Sequence, residues 1–183
     1  MLSDRDIRRE MLRGRLVVHP EPRVEPNGLD LRVGPEYCRP RPGAMLAVTV
    51  PPPEGVDPPC AEAYWMCSRA PEDGYILLEP NSTYLIHTVE YIGLPDNIAG
   101  VVGIRSSMAR LGLYVPVTYV DPGFQGQLTI ELRTGHIPVR VRPGTPLVYL
   151  ALFYLKSPAK KPYAGVYNGQ EGVRHSKYLR RCF

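Results

Sequence analysis

Residues 83–95, TYLIHTVEYIGLP, belong to the part of the chain that decides the fold. The run is rich in β-branched, aromatic and aliphatic residues and ends in Gly and Pro, which is typical of a β-strand followed by a turn. Similar runs recur along the chain, separated by turn residues at roughly 8- to 12-residue intervals. They are YILLEP (75–80), IAGVVGI (98–104), LYVPVTYV (113–120), LTIELRT (128–134), PVRVRPG (138–144) and LVYLALFYL (147–155). The pattern predicts an all-β fold, an antiparallel sandwich or barrel.

A short helix is predicted before the first strand. Ser3 is a candidate N-cap, with Asp6 three residues later, and Gly14 is a natural stop, so residues 4–13 form one amphipathic helix. The run RLVVHP at 15–20 then indicates a short strand.

Two segments differ in composition from the strands but give no sign of a second domain. Residues 39–74 are rich in proline and are predicted to form a surface insert. The tail, residues 156–183, is polar and basic and has too few apolar residues for its own core, so we expect it to lie over the rest of the protein. Residues 1–183 are therefore predicted to be a single domain.

Composition narrows the class of protein. The net charge is +4, and the opening MLSDRDIRRE is charged from the start, unlike a secretory signal. There is no apolar run of about 18 residues, so we expect no membrane span. Basic and aromatic residues do not alternate as they do in RNA-binding proteins, so we expect no nucleic-acid partner. A cytoplasmic protein is the prediction.

The four cysteines, at positions 38, 60, 67 and 182, lack the spacing of a zinc site. The H-x-E and P-C-x-x-C signature of zinc nucleobase deaminases is also missing from the sequence. Cys60 and Cys67 are close enough in sequence to pair, but reduced, scattered thiols are the expectation for a cytoplasmic chain.

The stretch GIRSSMARLGL, residues 103–113, is unusual for a β protein because it resembles the start of a short helix. Ser106 or Ser107 can cap one helical turn, and Gly112 can end it. Exposed N–H groups at a helix start, with the charges of Arg105 and Arg110, suit a phosphate group. The alternative is a capped turn between sheets with solvated arginines, and the local pattern alone favours it.

Two later stretches also carry polar residues in a suggestive pattern. In VDPGFQGQLTIEL, residues 120–132, strand alternation puts Glu131 on one face with Thr129 and Arg133. Taken alone, Glu131 is better explained as a solvated glutamate paired with Arg133. In PYAGVYNGQEGV, residues 162–173, tyrosines and glycines suit either a flexible tail or a segment that closes over a ligand.

Taken together, these stretches resemble one family. MLSDRDI, NGLDLRVG, GIRSSMARLGL, VDPGFQGQLTIEL, RPG and PYAGVYNGQEGV occur in the order used by dCTP deaminases of the dUTPase-like superfamily, in their archaeal form. The resemblance implies a distorted antiparallel β barrel, jelly-roll-like, assembled as a homotrimer. Active sites would lie between subunits, with the C-terminal segment of a neighbouring chain closing each one. The implied reaction converts dCTP and water to dUTP and ammonia, with Mg²⁺ held through the triphosphate and no zinc.

The resemblance also implies a role for individual residues. Arg105 to Arg110 cradle the triphosphate, Asp121 receives the deoxyribose 3′-hydroxyl, and Glu131 is the catalytic glutamate. Ser106 and Arg110 also face the reacting end of the base, so they join Glu131 as catalytic residues. The full set of implied substrate-binding residues is Arg105, Ser106, Ser107, Met108, Ala109, Arg110, Asp121, Thr129, Ile130, Glu131, Tyr163 and Gln170.

The chain departs from the bacterial pattern at two places. Val166 stands where bacterial relatives carry a lysine, and a phosphate-binding charge is missing there. Its candidate replacements are Lys160, Lys161, Arg174 and Lys177. The segment from Arg110 to Asp121 is also shorter, which alters the loop PVTYV at 116–120 that approaches the base.

Three other functions stay open at this point. A dUTPase would cleave dUTP to dUMP and diphosphate, with Asp121 orienting the water. Glu131 favours deamination, because dUTPases usually carry an apolar residue there and an acid is required to deaminate cytosine. A bifunctional dCTP deaminase/dUTPase is the second alternative, and a non-catalytic nucleotide-binding module is the third.

Overall fold

The computed structural model describes residues 1–44, 47–72 and 74–182. Within these residues the fold is all-β apart from one N-terminal helix, a 3-10 turn at Ala61–Ala63 and a four-residue helix. The helices are α1 (Asp4–Leu12) and α2 (Ser106–Ala109). The strands are β1 (Val17–His19), β2 (Arg23–Glu25), β3 (Gly28–Pro40), β4 (Trp65–Arg69), β5 (Ile76–Leu78), β6 (Thr83–Gly93), β7 (Ile98–Ile104), β8 (Thr118–Val120), β9 (Gln125–Arg133), β10 (Val139–Val141) and β11 (Pro146–Tyr154).

One curled antiparallel sheet contains most of these strands. The order of the strands in this sheet is β1-β6-β3-β11-β7-β8. Strands β2 and β4 also pair with β3, and β9 pairs with β6. The long strand β3 joins both halves of the sheet, and its pairing with β6 shifts register between Val33 and Tyr37. Strands β5 and β10 form a separate two-stranded sheet. The predicted antiparallel all-β architecture is confirmed.

The core follows the alternation expected of half-buried strands. In β9, Leu128, Ile130 and Leu132 are buried, whereas Thr129 and Glu131 are only partly covered. Each fully buried leucine of this kind contributes about 1.5–3 kcal/mol relative to an exposed one. The same core therefore holds the strand and fixes which face Glu131 occupies.

The predicted N-terminal helix is confirmed, and its cap is the one that the sequence indicates. The backbone N–H of Asp6 donates to Ser3 Oγ at 3.3 Å, and the backbone N–H of Ser3 donates to Asp6 Oδ2 at 3.2 Å. Ile7 is fully buried and anchors α1 to the core. No helix in the described part of the chain is long and apolar enough to cross a bilayer.

The proline-rich segment contributes a strand to the sheet. Residues Trp65–Arg69 form β4, which pairs along the end of β3 with Cys67 directly opposite Cys38. Shortly before β4, the N–H of Arg180 donates to the Pro59 carbonyl at 3.0 Å.

The expectation of reduced, scattered cysteines is wrong in this structure. Cys38 is bonded to Cys67, and Cys60 is bonded to Cys182, so Cys60 and Cys67 are not partners. The physical reason is tertiary: strand pairing brings the first two together, and contact between residue 60 and the C-terminal residues brings the other two together.

The tail, described here to residue 182, packs on the sheet beside β9. The N–H of Gly169 donates to the Gln125 carbonyl at 2.7 Å, and the N–H of Gln127 donates to the Gln170 carbonyl at 2.8 Å. Earlier in the tail, the N–H of Tyr163 donates to the Pro122 carbonyl at 2.7 Å. These backbone contacts fix the path of the tail along the edge of β9 opposite its pairing with β6.

Candidate active site

A cavity of about 430 Å³ lies between the tail and the strands β8 and β9. It brings together half of the residues that the resemblance implies. These are Asp121, Thr129, Ile130, Glu131, Tyr163 and Gln170. The loop at 115–120 also reaches the cavity, and apolar side chains such as Val102, Phe124 and Leu128 form much of its lining. An apolar cavity with a few convergent polar groups is suited to a small organic ligand.

Glu131 lies on the wall of this cavity and is half-exposed. Its Oε1 accepts a hydrogen bond from Arg133 Nε at 2.7 Å, and its side chain keeps 40% of its surface accessible. The pairing with Arg133 that the sequence suggests is therefore present, together with access to the cavity. The hydrogen bond from the arginine orients the carboxylate.

Asp121 stands at the end of β8, in the turn that opens VDPGFQ. Its carbonyl accepts from the N–H of Phe124 at 3.1 Å, and Gly123 adopts a φ of +88° that completes the turn. The exposed carboxylate of Asp121 thus projects from a rigid turn at the edge of the cavity.

The tail is attached to β9 by side chains as well as backbone. Gln170 is 6% exposed, and its Nε2 donates to the Gln127 carbonyl at 2.6 Å. Thr129 Oγ1 accepts from the backbone N–H of Arg174 at 2.9 Å. Tyr163 packs its ring 6.0 Å from that of Phe124. Two predicted substrate contacts, Thr129 and Gln170, are therefore also the groups that hold the tail in place.

Sequence reasoning missed Gln127 and two tail residues. Gln127 Oε1 accepts from the backbone N–H of Gly172 at 2.6 Å, and so links β9 to the tail. His175 and Ser176 line the cavity beyond the recognised motif. A glutamine on the tail-facing side of β9, next to Gly126, is a weak signal that becomes interpretable only with the fold.

The segment Arg105–Arg110 does not line this cavity. The prediction that Ser106 or Ser107 caps the helix is wrong: the N-cap is Arg105, which makes no side-chain cap, and Ser106 is the first helical residue. The backbone of Arg105 is held extended because its N–H donates to the Leu147 carbonyl at 3.1 Å. The remaining predicted members of this segment are Ser107, Met108, Ala109 and Arg110, and all but the partly buried Met108 are exposed.

Arg105 is occupied within the chain. Its Nε lies 2.9 Å from Oδ1 of Asp30, a carboxylate that is 2% exposed. This is an ion pair rather than an aligned hydrogen bond, since neither Asp30 oxygen is hydrogen-bonded among the described residues. Burial raises the pKa of Asp30, and the guanidinium opposes that effect. Arg105 thereby anchors the start of α2 to β3.

The four basic residues proposed to replace the lysine missing at Val166 differ in whether they line the cavity. Arg174 lines the cavity, and Lys177 lines a neighbouring cleft. Lys160 and Lys161 line neither of these two sites. Arg174 is therefore the basic residue of the tail that is placed to meet an anion in the cavity.

Gly126 sets how closely the tail approaches β9. Its φ is +143°, and a Cβ there would lie 2.9 Å from the Gln170 carbonyl oxygen. We expect Gly126→Ala to weaken tail docking by roughly 1–2 kcal/mol, and therefore to speed trypsin cleavage within residues 156–182 about tenfold. Reducing gels would measure the rate. Gly103→Ala is the control, because a Cβ there meets nothing within 4 Å. Equal rates for both variants would contradict the role of Gly126.

The sequence is similar to curated proteins over nearly its full length. The family model described as dCTP deaminase-like matches residues 1–155. The dCTP deaminase of Aeropyrum pernix is 44% identical over 180 residues, covering 97% of this chain and 96% of that protein. The dCTP deaminase of Desulfurococcus amylolyticus is 39% identical over 179 residues, covering 97% of this chain and 94% of that protein.

Solved structures share the fold at lower identity. The 2′-deoxycytidine 5′-triphosphate deaminase of Agrobacterium tumefaciens matches with a TM-score of 0.62 at 21% identity, covering 82% of this chain. The match covers 47% of that chain, so this protein spans about half of its length. The dUTPase of EIAV matches with a TM-score of 0.50 at 20% identity, covering 82% of this chain and 98% of that one. The curled sheet is thus the dUTPase-like fold. The family model and the full-length sequence matches show that this chain belongs to the dCTP deaminase-like family.

Proposed function

We propose that the protein deaminates dCTP hydrolytically to dUTP and ammonia. The observation that carries the proposal is Glu131, a carboxylate oriented by Arg133 on the wall of a largely apolar cavity that also holds Asp121. Full-length relatives named dCTP deaminase at 44% and 39% identity support the same reaction.

The chemistry requires one residue that both accepts and donates protons. Water adds to C4 of the cytosine while Glu131 takes a proton from it, and the same proton is passed to N3. Collapse of the tetrahedral intermediate then breaks the bond between C4 and the amino nitrogen, which leaves as ammonia after receiving the proton of the C4 hydroxyl. We assign this work to Glu131 rather than to zinc, because the sequence lacks the zinc-deaminase signature.

The nucleotide is placed by residues on both sides of the cavity. Asp121 accepts the 3′-hydroxyl, and residues 129–131 lie along the base. Tyr163 offers its ring from the tail, and Gln170 has a buried Oε1 that is unpartnered among the described residues. In the closed cavity, that oxygen is available to a donor on the substrate.

The triphosphate is expected to arrive as its magnesium complex. Among the described residues, no three carboxylate groups come together in the cavity, so the phosphate oxygens themselves would hold the ion. Arg174 is the cavity residue that we assign to the phosphates in place of the lysine missing at Val166.

We propose a homotrimer in which the cradle Arg105–Arg110 serves the cavity of a neighbouring subunit. The tail, which the resemblance assigns to the site of a neighbouring chain, packs instead on β9 of its own chain. Within one chain the cradle lies outside the cavity, so the site is incomplete without a second copy. Large apolar side chains between α2 and Asp121 also stay exposed. They are Leu111 (39%), Tyr114 (52%), Val117 (65%) and Tyr119 (75%). An exposed apolar strip of this kind favours a subunit interface. Location in the cytoplasm stays a prediction.

One incubation separates the candidate functions. The protein is mixed with dCTP and Mg²⁺, and the products are resolved by chromatography alongside an ammonia assay. Ammonia and dUTP in equal amounts are expected. Ammonia with dUMP would indicate the bifunctional enzyme, turnover of dUTP but not dCTP would indicate a dUTPase, and binding without turnover would indicate a nucleotide-binding module.

Arg110→Ala tests the proposed cradle. Its exposed guanidinium would meet phosphate oxygens, and losing a charge-assisted hydrogen bond costs roughly 1.5–3 kcal/mol. We expect KM for dCTP to rise about 10- to 100-fold, with a much smaller loss in kcat/KM for deoxycytidine. Arg8→Ala, on the exposed side of α1, is the matched control. Equal losses for both substrates would contradict a phosphate role.

A further inference from the structure

The two disulfides of the chain differ in accessibility. Cys38 and Cys67 face each other across β3 and β4, and Cys38 is 1% exposed whereas Cys67 is exposed. A large cleft runs past this bond, between β4 and the tail. An attacking thiolate can therefore reach the sulfur of Cys67 from solvent but not that of Cys38.

A histidine from the tail stands beside the accessible sulfur. His175 Nε2 lies 3.6 Å from Cys67 Sγ, and a ring nitrogen of His175 and both sulfur atoms all fall within 4.8 Å of one another. The imidazole stacks on Trp65, with ring centroids 6.3 Å apart. Burial lowers the pKa of His175, so the ring is neutral near pH 7 and free to accept a proton from a thiol.

The charges around this bond favour a thiolate. Five basic side chains and three acidic ones line the cleft. They are Arg41, Arg69, Arg174, Lys177 and Arg181, and Glu36, Glu62 and Glu171. Glu36 is already paired with Arg69 at 2.9 Å. Positive side chains lower the energy of a sulfur anion, and this is the setting of reactive cysteines in proteins.

The second disulfide is less exposed than the first. Cys60 and Cys182 are both partly buried, and a carboxylate oxygen of Glu62 lies within 4.8 Å of both sulfur atoms. The backbone N–H of Cys182 donates to this carboxylate at 3.3 Å. Neither cysteine of this bond is exposed to the extent that Cys67 is.

We propose that the Cys38–Cys67 disulfide is a thiol-exchange site that takes a small dithiol or a dithiol protein as its partner, while Cys60–Cys182 is a structural bond. The site is distinct from the nucleotide chemistry, and its action does not depend on it. It touches the catalytic cavity through one residue, since His175 lines both the cleft and the cavity.

The exchange runs in two steps. A thiolate of the dithiol attacks Cys67 Sγ, the bond between the two protein sulfurs breaks, and the thiolate of Cys38 leaves and takes a proton. The second thiol of the partner then gives its proton to His175 and attacks the partner's own sulfur in the mixed disulfide, and the released thiolate of Cys67 takes that proton from His175. The partner is oxidised to a disulfide, and Cys38 and Cys67 are reduced to two thiols.

The test compares the two disulfides within one folded protein. The full chain is treated with dithiothreitol for graded times, the new thiols are capped with N-ethylmaleimide, and the labelled peptides are quantified by mass spectrometry. We expect Cys38 and Cys67 to be labelled at least about tenfold faster than Cys60 and Cys182. Equal rates, or faster labelling of Cys60 and Cys182, would overturn the proposal.

A variant isolates the part played by the imidazole. His175→Gln is expected to slow reduction of Cys38–Cys67 severalfold and leave the rate at Cys60–Cys182 unchanged. His136→Gln, an exposed histidine elsewhere in the chain, is the matched control and should leave both rates unchanged. An unchanged Cys38–Cys67 rate in His175→Gln would overturn the role of His175. If His175→Gln fails to fold, the proposal is still tested by the labelling rates of the two disulfides in the native chain.

Discussion

Replacement of Glu131 with glutamine is expected to abolish ammonia release from dCTP while nucleotide binding survives. Glutamine keeps the shape of the side chain and its place on β9, but it does not take the proton of the attacking water. General acid–base catalysis contributes about 10²- to 10⁴-fold, and here one group acts at several steps, so we expect kcat to fall by at least about 10³-fold. An ammonia assay gives the rate, and calorimetry with dCTP and Mg²⁺ gives the affinity.

Two further variants make this result specific. Glu21→Gln changes an exposed glutamate remote from the cavity and should leave kcat unchanged. Arg133→Ala removes the partner of Glu131 and should reduce kcat less than loss of the carboxylate itself, because the base is then present but less well oriented. Substantial ammonia release by Glu131→Gln would show that another group is the base.

Removal of residues 161–183 is expected to leave a folded oligomer with little activity. The core is built by residues up to Leu152, whereas the tail adds Tyr163 and Tyr167 at its margin. The cavity, in contrast, loses Tyr163, Gln170 and Arg174 at once. Misplacing substrate groups by about 1 Å can cost 10²-fold, so we expect kcat/KM for dCTP to fall by at least that factor.

The truncated chain needs its own controls, because deletion also removes Cys182. Full-length Cys182→Ser separates loss of the disulfide from loss of the tail, and Cys60→Ser in the truncated chain prevents pairing between molecules. Circular dichroism should keep its β signature, and light scattering should give the same oligomer mass as the full chain. Unfolding or monomers would mean that the tail is part of the scaffold, and full activity would remove Tyr163 and Gln170 from the site.

Local pattern was enough for the elements whose signals lie close together in sequence. Ser3 and Asp6 predict the cap of α1, and period-two alternation places Glu131 opposite Ile130. Residue pairs that are distant in sequence and meet only in the folded chain could not be predicted from the sequence. The ion pair between Arg105 and Asp30 joins strands far apart in the chain, and the bond between Cys38 and Cys67 depends on β4, a strand inside a proline-rich segment.

The same limit applies to the candidate site. The motifs in order point to six residues that do line one cavity, because β9, the turn after β8 and the tail are held together by backbone contacts. They did not reveal that α2 lies outside the lining of that cavity, since its place depends on the pairing of β7 with β11 and on the backbone bond from Arg105 to Leu147. The contact of Gln127 with the tail and the place of His175 at the cavity could be identified only from the position of the tail in the structure.

The bond between Cys60 and Cys182 turns two thirds of the chain into a covalent circle. The two residues are 122 positions apart, so strands β4 to β11 and the tail all belong to the circle. Closing so long a span removes conformations mainly from the unfolded chain, an effect of roughly 2–5 kcal/mol in favour of the fold. The bond also alters the effect of proteolysis. A single backbone cleavage anywhere between these cysteines opens the circle but leaves the molecule in one covalent piece. The tail can loosen from β9, yet its end stays attached to its own subunit.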